Sequence, residues 1–255
     1  MKIGLIKEGK LPPDERVALI PEQCVELKER WPEVELVVQE SEVRRIPDEE
    51  YIAAGVEVVK DVSDCDILIG VKEVNVEDLI EGKTYLFFSH TFKKQPYNAK
   101  LLAAILKKKV SLIDYETLNK PDGNRIIGFG RWAGIVGSYN GIRAWGTREK
   151  SFQLPRAIDG KDLQEMIEAA KAINLPGGVK IVLTGFGRVG RGAAELLDAI
   201  GIRKVEKEAF LQDKFPEEAV YTQIDMDDYN ERKDGGDFDF HAFIDDPSHY
   251  KSTFL

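Results

Sequence analysis

Short runs rich in β-branched residues recur along the first half of the chain with helix-period stretches between them, and this alternation constrains the fold more than any other feature. The runs cover residues 2–7, 34–39, 66–71, 84–88 and 110–113, and a sixth lies at 180–184. Strands separated by crossover helices pair in parallel. The expected fold class is therefore α/β, with two Rossmann-like domains built on parallel sheets. Pro21 opens a helical segment to about Arg30, Pro96 opens one through Lys107, and Asp159 or Asp162 begins the amphipathic stretch 163–173. Proline suits the first helical position, and Asp caps the orphan N–H groups. Pro121, Asp122 and Gly123 have the composition of a tight turn between two short antiparallel segments.

Residues 131–145 combine helical apolar spacing with Ala133, Gly134, Gly137, Ser138, Gly141 and Ala144, which implies close packing against another element. The expected organisation is a substrate domain at 1–130, a linking helix region at 131–158 and a dinucleotide-binding domain at 159–255, incomplete at its C-terminus. The small-residue surface suits a tight contact between domains or between subunits of a homo-oligomer, and equally a hinge helix.

Composition narrows the function. The 255 residues are 43% hydrophobic, enough for one large core or two modest ones. With 36 Lys+Arg against 45 Asp+Glu, the formal charge of −9 argues against nucleic-acid or anionic-membrane partners. Cys24 and Cys65 sit in apolar patterns without metal-ligand spacing, so neither a disulfide scaffold nor a metal site is expected, and a cytoplasmic setting fits. The apolar run at the N-terminus is too short for a secretory leader and reads as a strand. The acidic stretches 225–229 and 234–239 lack a full calcium-loop pattern and read as solvated surface, as do His241 and His249.

The strongest local motif follows the run at 180–184: Gly185-Phe-Gly187-Arg188-Val189-Gly190, leading into an amphipathic stretch at 191–200. Strand, glycine turn and helix in this order form a dinucleotide site, with the pyrophosphate at the helix N-terminus. An acidic ribose partner is expected about 20 residues on at the end of the next strand. Glu206 is the candidate and Glu208 the second. Arg203 and Lys204 could instead accommodate a 2′-phosphate, but NAD is favoured over NADP.

Lys72 and Glu73 follow one apolar run and His90 another. Two strand ends of one sheet would deliver Lys72 and His90 to a common cleft, as a workable acid/base pair. The bland reading, a solvated lysine and a core or capping imidazole, carries comparable weight. Arg16 could clamp a carboxylate in bidentate fashion, though a loop arginine is more often plain surface.

The chain resembles the NAD-dependent, lysine-forming saccharopine dehydrogenases, within the alanine dehydrogenase and transhydrogenase superfamily. The likeness runs through Asp14-Glu-Arg-Val-Ala-Leu-Ile-Pro21, Val71-Lys-Glu73, Phe88-Ser-His-Thr-Phe-Lys-Lys-Gln95, Asp114-Tyr-Glu116, Gly123-Asn-Arg-Ile-Ile-Gly-Phe129, Trp132-Ala-Gly-Ile-Val-Gly137 and Gly187-Arg-Val-Gly-Arg-Gly192. The resemblance implies an oxidoreductase acting on the CH–NH bond of a small amino-acid substrate with NAD. It implies acid/base roles for Lys72 and His90, and carboxylate binding for Arg16. Glu73, Lys93, Gln95, Glu116, Arg125 and Phe129 match residues that line or tune the substrate pocket, and Gly187 and Arg188 match cofactor contacts. Family members are longer and return the chain to the first domain. Asn124 and the segment 202–206 depart from the usual cofactor contacts. Alanine dehydrogenase is the alternative enzyme, and a non-catalytic substrate-binding or regulatory module is the alternative from another class.

Overall fold

Strand β1 (Lys2–Leu5) buries three of its four residues, and the chain leaves it through a loop into α1 (Pro21–Arg30). Pro21 sits where its missing N–H costs nothing. The Gln23 side chain accepts the Ile20 N–H at 3.1 Å, while Lys28 and Arg30 in the last turn complement the helix dipole. The computed structural model describes residues 1–212 and 215–254.

The chain continues through β2 (Glu35–Gln39), α2 (Asp48–Ala53), β3 (Glu57–Val59), β4 (Ile67–Ile69), β5 (Thr84–Phe87), α3 (Ala99–Lys107) and β6 (Ser111–Asp114). These six strands form one all-parallel sheet in the order β3-β2-β1-β4-β5-β6. A parallel sheet must be covered on both faces. Val37, Leu68, Phe87, Leu101 and Ile105 pack in one buried cluster, and Ile3, Leu36, Val38, Tyr51 and Val56 in another. The order reverses between β1 and β4, and doubly wound sheets open a ligand crevice at the carboxyl ends of the strands at such a point. The turn read at 121–123 is present: Gly123 has φ +80, its N–H bonds Lys120 O, and Asn119 bridges Arg125 in antiparallel fashion.

The chain divides into two units, Met1–Gly128 and Phe129–Leu255. The second begins with α4 (Gly130–Glu149), followed by α5 (Leu163–Lys171), β7 (Lys180–Thr184), α6 (Arg188–Ala199), β8 (Arg203–Lys204), α7 (Lys207–Leu211) and β9 (Val220–Ile224). The region read as a link is thus part of the second unit, because α4 packs directly on α6. A Cβ on Gly134 would lie 1.9 Å from Val189 O, and one on Gly192 would lie 2.0 Å from Arg131 O. Only glycine at both positions lets the two backbones come this close. Asp162 caps α5 by accepting the Glu165 N–H at 2.9 Å.

Strands β7, β9 and β8 form a parallel sheet in the order β7-β9-β8. The tail adds β10 (Asn230–Arg232), α8 (Phe240–Asp245) and β11 (Tyr250–Ser252), with β10 and β11 antiparallel. His241 and His249 are exposed there. Among the described residues, no helix is long and apolar enough to cross a membrane.

Candidate active site

In the first unit, β4 and β5 are parallel neighbours, and their carboxyl ends carry Lys72 and His90 to one place. The Lys72 Nζ lies 3.3 Å from His90 Nε2. On the other side of the ring, His90 Nδ1 lies 2.6 Å from Glu116 Oε2, which the next strand, β6, delivers. An ammonium can only donate and a carboxylate can only accept, so this arrangement selects the tautomer with its hydrogen on Nδ1. Lys93 Nζ lies 3.5 Å from His90 Nδ1 but closer, at 3.1 Å, to Glu116 Oε1, and Arg125 Nη1 reaches the same oxygen at 3.2 Å.

Glu73 completes the group. Its Oε1 lies 3.7 Å from His90 Nε2, and its Oε2 accepts from Lys10 Nζ at 2.9 Å. Oε1 is buried and has no hydrogen-bond partner among the described residues, an acceptor beside the Lys72–His90 pair. Burial alone would push the Glu73 carboxyl up; the Lys10 hydrogen bond and charge outweigh it and hold the group below the usual carboxylate range. In Glu116 burial is likewise outweighed, by hydrogen bonds from His90 and Lys93, and its pKa is also lowered. Two carboxylates therefore face one imidazole, with four cationic side chains around them.

Glu8 follows β1 at the switch point and accepts the backbone N–H groups of Val71 at 2.6 Å and Lys72 at 2.8 Å. Burial raises its pKa despite those bonds. Glu8 thereby fixes the strand end that presents Lys72. Neither Glu8 nor Lys10 was singled out from the sequence; the available signal was a charged Lys-Glu-Gly-Lys run directly after a buried strand. A cavity of about 160 Å³ opens at this point, lined by Glu8, Gly9, Lys72, Glu73, Asn75 and Asp78 among others.

Arg16 makes a two-pronged bond to Asp14, Nε to Oδ1 at 2.9 Å and Nη2 to Oδ2 at 2.5 Å. The guanidinium holds the Asp14 carboxyl below its ordinary value. Gln95 is exposed at the head of a 3₁₀ turn and makes no side-chain bond to the cluster among the described residues. Phe129 belongs to the second unit, where it is the N-cap residue of α4.

In the second unit, β7 runs into the glycine turn and α6 begins at Arg188, three residues before the sequence reading placed it. Val189 and Gly190 therefore lie in the first helical turn, with their N–H groups at the positive end of the helix dipole. Gly185 has φ +84, which L side chains avoid. A Cβ on Gly190 would lie 2.0 Å from Gly185 O, whereas one on Gly187 would meet open space. The turn is packed on its inner side and bare where a pyrophosphate would approach, so it fits a dinucleotide.

Glu206, expected as the ribose partner, does not lie on the strand beside the glycine turn. Glu206 follows β8, and β9 stands between β8 and β7. The strand end beside the glycine turn belongs to β9, where Gly185 N–H bonds Ile224 O at 2.7 Å and the next residue is Asp225. The spacing expectation takes the strand after α6 to adjoin β7; here α7 and its loop separate β8 from the strand that does. Arg203 is paired with Glu218. Lys204 donates to Gln223 Oε1 at 3.0 Å, and Gln223 Nε2 donates to Gly185 O at 2.9 Å. A separate groove of about 1030 Å³ runs along α4, β7 and α6, and its lining has only Glu149 and Lys180 as titratable groups. Its size does not make it the site of chemistry.

The first unit is a doubly wound parallel sheet with Lys72 and His90 at neighbouring strand ends, and the second carries a glycine turn of the dinucleotide type. Residues 4–136 match the family model "Alanine dehydrogenase/PNT, N-terminal domain", and the chain belongs to that family. It is 34% identical over 188 residues to the mouse "Alpha-aminoadipic semialdehyde synthase, mitochondrial", covering 67% of this chain and 20% of that protein. It is 28% identical over 253 residues to "Saccharopine dehydrogenase [NAD(+), L-lysine-forming]" of Yarrowia lipolytica, covering 93% of this chain and 63% of that one. The chain thus spans about a fifth of the mouse relative's length and under two thirds of the yeast relative's. Among solved structures, an L-alanine dehydrogenase superposes with a TM-score of 0.57 at 18% identity, over 88% of this chain and 60% of that one, a likeness of fold.

Proposed function

We propose that the chain carries out an NAD-linked oxidation of the CH–NH bond of an amino acid of the saccharopine type: saccharopine, NAD⁺ and water give lysine, 2-oxoglutarate, NADH and a proton. The observation that carries this reading is the Lys72–His90–Glu116 relay with Glu73 beside it. A site that oxidises a secondary amine and then hydrolyses the imine must take and return protons several times, and two adjacent nitrogen bases backed by carboxylates can do so.

Bound NAD would supply the hydride acceptor; all proton handling falls to the chain's own side chains. Lys72 Nζ and His90 Nε2, 3.3 Å apart, pass a proton between them as the substrate amine is deprotonated, water adds to the imine carbon and the departing amine is protonated. Glu116 keeps Nδ1–H occupied, which leaves Nε2 as the working atom, and it stabilises the imidazolium when that forms. The planar guanidinium groups of Arg125 and Arg16 suit carboxylates as bidentate partners. The surplus of cations, Lys10, Lys72, Lys93 and Arg125 against Glu73 and Glu116, suits a tricarboxylate such as saccharopine better than alanine. The residues that would hold the cofactor are Gly185, Gly187, Arg188, Val189 and Gly190, with Asp225 at the ribose. A carboxylate at that strand end favours the 2′-hydroxyl of NAD over the phosphate of NADP.

A second reading, a substrate-binding module, is supported by β7 pairing on one side only, with β9, among the described residues. Following NADH formation with saccharopine and with alanine, alongside a titration of nicotinamide fluorescence, separates the readings. Saccharopine-dependent NADH supports the proposal, turnover of alanine alone favours alanine dehydrogenase, and no saturable fluorescence change favours the module.

A further inference from the structure

We infer that Asp114 and Ser89 are positioning residues, a buried carboxylate–hydroxyl clamp that fixes the His90–Glu116 pair in its working geometry. The inference rests on the acid/base reading of that pair. Strands β5 and β6 are parallel neighbours with Phe87 opposite Asp114, so the chain beyond each strand end starts from the same level of the sheet. Ser89 is fully buried and Asp114 is 6% exposed.

The two carboxylate oxygens of Asp114 hold two different arms. Oδ2 accepts the Ser89 hydroxyl at 2.5 Å, and Oδ1 accepts the Glu116 N–H at 2.9 Å, capping the 3₁₀ turn that carries Glu116. Because the single Ser89 hydrogen goes to Asp114, Ser89 Oγ is left as an acceptor. It takes the Thr91 N–H at 3.0 Å and the Thr91 hydroxyl at 2.7 Å. His90 lies between these two anchored residues with φ +55, a left-handed backbone that a residue of this size rarely adopts. Such a conformation persists only where its surroundings over-determine it, and such positions concentrate at functional sites. One carboxylate therefore ties the His90 turn to the Glu116 turn, and the 2.6 Å contact between Nδ1 and Oε2 is the outcome.

A buried carboxylate is a costly way to hold a fold, and apolar groups of the same shape usually serve as well. What it provides here is direction: both arms are oriented at once, without a side chain in the path of Nε2. Asp114 and Ser89 act through His90 and Glu116, not on substrate.

The test uses the full chain and its ring proton and nitrogen resonances. His90 is assigned by comparison with His90→Gln, and the other two histidines, His241 and His249, are exposed. The unsubstituted chain should show a downfield, slowly exchanging Nδ1–H resonance from the short bond to Glu116. Ser89→Ala and Asp114→Asn should each lose it while the far-ultraviolet dichroism stays folded, and turnover should fall about tenfold, the effect of one lost hydrogen bond, with KM changed far less. Thr91→Ser keeps the hydroxyl and should keep both the resonance and the turnover. Persistence of the resonance in either folded variant overturns the proposal. So does failure of both variants to fold, which would make the clamp a folding element. Loss of the resonance in a chain that never oxidises saccharopine leaves the clamp standing and removes the functional reading instead.

Discussion

His90 and Glu116 meet at 2.6 Å through Nδ1 and Oε2, and under the proposed reaction this contact gives the two ring nitrogens different tasks: one is held, the other works. Removing the working ring should therefore cost more than removing its support. His90→Gln is expected to lower turnover by roughly 10²–10⁴, and Glu116→Gln by less, since a neutral amide can still accept the Nδ1–H. Steady-state rates of the two variants check this order; equal losses would mean Glu116 itself carries protons.

Stability should depend on pH through the same carboxylates. Glu116 is held below its ordinary value in the folded chain, so it contributes stability above that value, and the contribution disappears as pH falls through the lowered folded pKa. Glu8 has the opposite sign. Its folded pKa is raised, so the folded chain binds the extra proton in the window from the ordinary value up to the raised one, and stability is lost as pH rises through that window. Urea midpoints across the acid range should show Glu116→Gln converging on the unsubstituted chain as pH falls, and Glu8→Gln gaining on it as pH rises.

The glycine turn gives a paired prediction. Gly190→Ala places a Cβ 2.0 Å from Gly185 O and should destabilise the second unit by about 1–3 kcal/mol. Gly187→Ala meets open space and should fold normally, yet it should bind NADH at least about tenfold more weakly, because the added methyl stands where the pyrophosphate approaches. Thermal unfolding together with fluorescence titration distinguishes the two.

Placement of the strands puts Asp225, not Glu206, beside the glycine turn, and the proposed ribose partner is therefore Asp225. Asp225→Asn should weaken NADH binding by about tenfold, the scale of a charged hydrogen bond, and relax discrimination against NADPH. Glu206→Gln should change neither. The reverse result would return the assignment to the end of β8.

The α/β class was legible because buried parallel strands leave runs such as Ile67-Leu-Ile69 that tolerate no polar residue. The convergence of Lys72 and His90 was legible for a related reason: strands that neighbour in a parallel sheet deliver their carboxyl-end residues to one side. The close approach of α4 and α6 was foreshadowed by Gly134 and its small neighbours. Other features depend on pairings that local sequence does not encode. The strand β3, Glu-Val-Val, is as short as β4 but starts on the exposed Glu57 and so lacks β4's unbroken apolar run. Glu8 acquires its role only through the backbone of Val71 and Lys72, more than sixty residues away. Asp225 sat in an acidic stretch that reads as solvent-facing, and only the insertion of β9 beside β7 gives it a neighbour in the glycine turn.

The most direct test is the saccharopine-dependent rate of NADH formation by Lys72→Met, with and without a small added amine. A rate roughly 10²–10⁴ below that of the unsubstituted chain, partly restored by ethylamine in proportion to its concentration, is the predicted result. A variant that turns over at the unsubstituted rate, or a lost rate that no amine restores, would contradict a proton-carrying role for Lys72.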